Sequence, residues 1–98
     1  MIAFNDVMAL GALNALEDRG FSVPGRVSLL GFDDTISTYS RPKLTTVACP
    51  KAELGEQGVR RILERIAGQG PETRAVHRLP VRLVARESTR ARPDARVP

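Results

Sequence analysis

Val27-Ser-Leu-Leu-Gly-Phe-Asp-Asp34 is an apolar run, interrupted only by Ser28 and Gly31, that ends in two adjacent carboxylates. Such a run reads as a central parallel strand covered on both faces. In an open α/β sheet, ligands gather outside the carboxyl ends of the strands, where the loops diverge and side chains point into a crevice. Asp33 and Asp34 stand at such an end. Past a polar stretch containing Thr35, Ser37, Thr38, Ser40 and Pro42, which reads as a loop or short helix, Thr45-Thr-Val-Ala48 reads as the next extended segment.

Working outward toward the amino terminus, Phe21 to Gly25 is a loop with Pro24-Gly25 as its turn signal. Before it lies Val7-Met-Ala-Leu-Gly-Ala-Leu-Asn-Ala-Leu-Glu-Asp-Arg19, in which Leu10, Leu13 and Leu16, joined by Met8 and Ala9, form one apolar stripe at helical spacing. Asn5-Asp6 supply side chains able to cap the free N–H groups of its first turn, and Asp6 is expected to serve there. Gly20 is the expected stop, because it takes the left-handed C′ conformation cheaply. Ile2-Ala-Phe4 then reads as a strand end, and strand, helix, strand with short connections makes a βαβ unit.

Toward the carboxyl terminus, Pro50 suits the first turn of a second helix, over about residues 50–67, and Glu53 favours the positive end of its dipole. Leu54, Gly58, Ile62 and Ile66 recur at i, i+4 steps beside Val59 and Leu63, with Arg60, Arg61, Glu64 and Arg65 on the outer arc. Gly68-Gln-Gly-Pro71 ends this helix. Val76 to Val84 alternates moderately and reads as a strand, with Pro80 pointing to an edge or a bulge. Residues 90–98, a mixture of Arg, Pro and Asp, are expected to be a disordered basic tail.

At 98 residues the chain is long enough for one modest core and too short for two. Its 42% apolar and 27% charged content is that of a globular protein. No apolar run approaches the roughly 20 residues needed to span a bilayer. Met1-Ile-Ala-Phe-Asn-Asp6 lacks the basic and longer apolar regions of a secretory leader, so a cytoplasmic location and no membrane partner are expected. Cys49 is the sole cysteine and has no metal-ligand partner at a useful spacing, so neither disulfide, metal nor cofactor is expected. The net charge of +4 draws on Arg74, Arg78, Arg82, Arg86, Arg90, Arg92 and Arg96. Without interleaved aromatics or a recognition helix these read as a solvated face rather than a nucleic-acid footprint.

Phe4-Asn-Asp-Val-Met-Ala-Leu-Gly-Ala-Leu13, Val23-Pro24, Val27 to Asp34, Leu44-Thr-Thr-Val47, Glu53-Leu-Gly55 and Leu83-Val-Ala-Arg-Glu-Ser-Thr89 together resemble the carboxyl-terminal part of lactose-repressor (LacI/GalR) family regulators. The resemblance runs over about residues 2–89 in the family's order. It implies an α/β fold: an incomplete fragment of a doubly wound parallel-sheet lobe, like that of type I periplasmic binding proteins. Residues 1–89 would then be the carboxyl-terminal part of the effector-binding sensor domain, with the helix of residues 50–67 crossing to the first lobe. The strand near Val81–Val84 would return to the second.

The resemblance also implies roles. Asn5 and Asp33 resemble residues that hydrogen-bond the effector from the second lobe, and a carboxamide beside a carboxylate suits vicinal sugar hydroxyls or a nucleobase edge. Leu10 and Leu13, with Tyr39 and Arg41, resemble the surface through which the family forms homodimers. Asp6, Gly31, Asp34, Thr45 and Thr46 read as structural, the two threonines at the crossover between lobes. The implied partners are a small-molecule effector, a carbohydrate foremost or else a purine, and a second copy. DNA would be met only through a helix-turn-helix headpiece that these residues do not include.

Three other classes stand against this reading. A stand-alone dimerisation module or gene remnant would carry the same blocks. A transport-type sugar-binding protein would share the fold, but the Leu-Thr-Thr-Val crossover and the closing Arg-Glu-Ser-Thr resemble the regulators. An enzyme is disfavoured: His77 is the sole histidine, and side chains of sequence neighbours Asp33 and Asp34 diverge instead of flanking a bond.

Overall fold

The computed structural model describes residues 1–70 and 75–93. The chain divides into two compact units: Met1–Ala48 together with the segment from Arg82 onward, and Cys49–Val81.

In the first unit, α1 spans Asp6–Asp18. Asn5 caps it, its Oδ1 accepting from the Met8 N–H at 2.8 Å, and Gly20, the expected stop, follows its end at a φ of 78°. Before α1, Ala3 donates to Leu30 O and Leu30 to Met1 O, so that Ile2 and Leu30 form a parallel bridge. Leu30 forms a second parallel bridge to Thr45 on its other side. The Val27–Phe32 run is therefore the middle of three parallel segments. Beyond it, β1 (Thr46–Ala48) pairs antiparallel with β2 (Arg82–Val84), with Thr46 opposite Val84.

The core is small. Ala9 and Leu13 of α1 close on Leu29 and Leu44, and Ala3, Leu10, Ala12 and Val23 pack around them. Behind β2, Ser88 is wholly buried and splices three segments: Leu29 N donates to its carbonyl, Thr45 N to its Oγ, and its hydroxyl to Leu29 O. This closes the parallel segments without spending apolar volume, since each buried polar atom meets a partner.

In the second unit, α2 spans Lys51–Ile66 with Pro50 at its N-cap, near the expected bounds. None of its residues is buried. Leu54, Val59, Ile62, Leu63 and Ile66 are 48–77% exposed.

Four expectations need correction. Phe32 at the end of the central run is exposed and Leu30 half-buried, because α1 covers one face of the parallel segments and no described helix of this unit covers the other. The strand expected over Val76–Val84 is reduced to β2, which starts only after Pro80, a residue that cannot donate to a ladder. Leu13 is 2% exposed and sits in the core rather than on a dimer surface. At the start of the expected tail, Arg90 is tied down: its N–H donates to Ser28 Oγ at 3.1 Å, its Nε to Pro24 O at 2.9 Å, and its Nη2 to Gly25 O. Residues 94–98 of that tail, and residues 71–74 with Pro71 and Arg74, lie outside the described residues.

Candidate ligand-binding site

Asn5 and Asp33 stand at the carboxyl ends of adjacent parallel segments, in the position where open α/β sheets bind ligands. Asn5 is extended, with φ −153° and ψ 178°, and its Oδ1 is committed to the cap. The amide NH2 is the part of that side chain which the cap does not use, and it brings two donors to the strand ends. Asp33 is half-buried, and its N–H donates to Val47 O at 2.9 Å, continuing the parallel pairing to the neighbouring segment.

The backbone of the acid pair is strained. Asp33 has φ 102° and Asp34 φ 58°, left-handed values that side chains with a Cβ rarely adopt. Such residues cost about 1–3 kcal/mol each and persist where the surroundings over-determine them, typically at ligand clamps and switches.

Two polar clusters supply that determination. Asp6, wholly buried, accepts from Thr35 N–H on Oδ2 at 2.8 Å and from the Thr46 hydroxyl on Oδ1 at 2.7 Å. Its carboxylate thus joins the start of α1, the loop after the acid pair and β1. It does not cap the helix; the cap belongs to Asn5, whose extended backbone aims its side chain back at the first turn. Gly31 makes this possible, since a Cβ there would overlap Asp6 Oδ1.

The second cluster is built on Arg86, whose Nη1 lies 2.8 Å from Asp34 Oδ1, 2.7 Å from Ser37 Oγ and 3.1 Å from Leu44 O. The Ser37 hydroxyl donates to the same Asp34 oxygen. The backbone N–H of Arg86 donates to Thr45 Oγ1 at 2.9 Å, and that oxygen also meets Thr89 Oγ1 at 2.7 Å. Asp34, Thr45 and Thr46 therefore brace the strand ends, and Thr45 and Thr46 are buried.

The bracing roles of Arg86, Ser37 and Ser88 are not legible in the sequence, and Arg86 is paired and mostly shielded instead of standing on the solvated face expected for the arginines. The one available signal was the Arg86-Glu-Ser-Thr89 block, legible as a family mark and not as a contact. Of the surface residues, Tyr39 is 80% exposed and Arg41 is exposed with Nη1 on Ser40 O at 2.9 Å, while Leu10 is half-buried against the core. His77 lies in the second unit against Arg61. Among the described residues no group of acidic, histidine and cysteine side chains is placed to hold a metal ion, and no helix is long and apolar enough to cross a membrane.

The parallel segments and their βαβ frame are a fragment of a periplasmic-binding-protein-like fold. Residues 1–89 match the family described as "Periplasmic binding protein-like domain". The chain is 43% identical over 86 residues to the HTH-type transcriptional regulator GalR of Salmonella typhimurium, an alignment covering 87% of this chain and 25% of that protein. It is 40% identical over 89 residues to the HTH-type transcriptional repressor PurR of Pasteurella multocida, covering 90% of this chain and 26% of the repressor. Among solved structures, the lac repressor dimer bound to operator and the anti-inducer ONPF superposes with a TM-score of 0.83 at 39% identity, over 93% of this chain and 32% of that one. A LacI family transcriptional regulator from Enterococcus faecium with bound ribose gives 0.75 at 41% identity, over 90% and 33%. This chain belongs to the LacI/GalR family of transcriptional regulators, within whose sensor domain it falls. It spans about a quarter of the length of the curated relatives it matches.

Proposed function

We propose that this chain is the carboxyl-terminal, effector-contacting and dimer-forming segment of a LacI-type regulator. Asn5 and Asp33 hydrogen-bond a small molecule, a carbohydrate before a purine, whose binding controls a helix-turn-helix headpiece outside these residues. The observation that carries the reading is the placement of those two side chains on neighbouring parallel strand ends, with the acid pair held in a strained backbone. The amide donates and the carboxylate accepts, which matches the alternating demands of vicinal hydroxyls. A relative with bound ribose and others named GalR and PurR agree with a sugar or purine effector.

In this reading the segment Cys49–Val81 belongs to the first lobe, and β1 and β2 are the two crossings. Homodimers form through the exposed rim of α1 beside Leu10 and the loop at Tyr39 and Arg41. In the same reading the protein is cytoplasmic and has no catalytic step.

The test separates capping from binding at Asn5. Asn5→Ser keeps a good N-cap but loses the amide donors. In isotope-labelled chain titrated with D-ribose, D-galactose or adenine, one of the probes is expected to move the Asn5 and Asp33 amide resonances. Asn5→Ser then weakens that response roughly tenfold or more, about the value of a lost hydrogen bond to a polar ligand group, with the melting temperature held within a few degrees. Full response in Asn5→Ser and in Asp33→Ala removes the effector assignment.

A further inference from the structure

We infer that Arg86 is a positioning residue for the Asp33 carboxylate, acting through Asp34. The inference rests on the reading of Asp33 as an effector contact and extends it to a residue that touches no effector.

Asp33 and Asp34 take consecutive left-handed backbone conformations. The φ of Asp33 sets where its own Cβ leaves the strand end, and the φ of Asp34 sets the course of the loop that follows. Next to the pair, Asp33 N–H pairs with Val47 O, and Thr35 N–H with Asp6. The side chain of Asp34 is gripped from far along the sequence. Arg86 and Ser37 both donate to its Oδ1, and Arg86 also spans to Leu44 O at the other end of the 34–44 loop. One guanidinium therefore fixes the first residue of the loop, a residue within it and its last residue. All three contacts are made by Nη1, on a guanidinium that keeps its charge throughout the accessible pH range. The ion pair is mostly shielded, with side-chain exposures of 18% for Arg86 and 23% for Asp34, so water and salt weaken it less than a surface pair.

Arg86 follows β2 by two residues, and Asp33 hydrogen-bonds to β1. The two strands that lead the chain into and out of Cys49–Val81 thus both hold the acid pair, one through the Asp33 backbone and one through the Asp34 side chain.

The test uses amide hydrogen exchange by NMR on the full chain, for the wild type, Arg86→Met, Asp34→Asn, the double variant and Arg86→Lys. Asn tolerates the left-handed conformation as well as Asp, so Asp34→Asn removes the charge without removing the backbone. Exchange at the Asp33 N–H is expected to rise about tenfold or more in Arg86→Met and in Asp34→Asn, with protection kept at the Leu29 and Ala3 amides, since openings of different segments are separable. The double variant is expected to be no faster than either single one, because the residues act through one contact. Arg86→Lys restores part of the protection.

Unchanged exchange at Asp33 overturns the inference. So does a uniform loss of protection at Asp33, Leu29 and Ala3 in both Arg86→Met and Asp34→Asn, which marks Arg86 as a general support of the fold. D-ribose titration of the same samples addresses the other reading separately. Loss of a wild-type ribose response in the variants whose Asp33 exchange rises supports both readings together. A wild-type chain that ribose, galactose and adenine all leave unmoved removes the effector assignment, while the exchange data still decide whether Arg86 holds Asp33.

Discussion

The two units of this chain have comparable helices in different circumstances. α1, of 13 residues, puts Ala9 and Leu13 into a core and its first residue, Asp6, into a buried polar junction. α2, of 16 residues, has the more regular amphipathic stripe and buries nothing. In proteins most helical stability comes from tertiary packing of an amphipathic face. The comparison teaches that periodicity reports which face a helix would bury, whereas stability follows only from what meets that face.

The comparison breaks most visibly at Leu13. Leu13→Ala removes a side chain from a four-residue apolar cluster, and a loss of about 2–5 kcal/mol is expected. Urea titration followed by circular dichroism at the helix band reads it, and a loss below 1 kcal/mol, on the scale of a surface substitution, contradicts the core assignment.

Asp6→Ala probes the polar junction. It leaves the buried Thr46 hydroxyl and the part-buried Thr35 N–H without their acceptor, for about 1–3 kcal/mol. Gly31→Ala is expected to cost a similar amount by forcing the same carboxylate out of place, so the double variant should fall short of the sum. Strict additivity in thermal melts argues that the two positions act independently.

At the small end, Leu63→Ser on α2 is expected to change stability by no more than about 0.5 kcal/mol, as for other exposed positions. A loss above 1 kcal/mol shows that something covers α2 in solution and erases the contrast between the helices.

Much of the frame was legible before any coordinates. The cap-type pair Asn5-Asp6, the Gly20 stop and the leucine spacing placed α1 almost to the residue, because caps and periodicity are local. Pro50 and the Leu54, Ile62 and Ile66 spacing did the same for α2. The acid pair at a strand end was legible from the apolar run and its abrupt finish. The strand over 76–84 was overread because alternation in a few residues carries no information about the partner that must supply the hydrogen bonds. Leu10 and Leu13 share one stripe, and sequence spacing has no means of telling which leucine goes deep and which stays at the rim.

By itself the sequence determined the local elements and the chemistry at their ends: the two helices, the central strand, the carboxamide at residue 5 and the carboxylates at residues 33 and 34. Tertiary structure alone decided that Asp6 is a buried brace and not a cap, that Leu13 is core, and that Arg86 reaches Asp34. Capping and periodicity act within a turn or two of chain, so they are written in neighbouring residues. Asp6 meets Thr46 and Arg86 meets Asp34 across 40 residues or more. Those partners exist only once the parallel segments and β2 have come together.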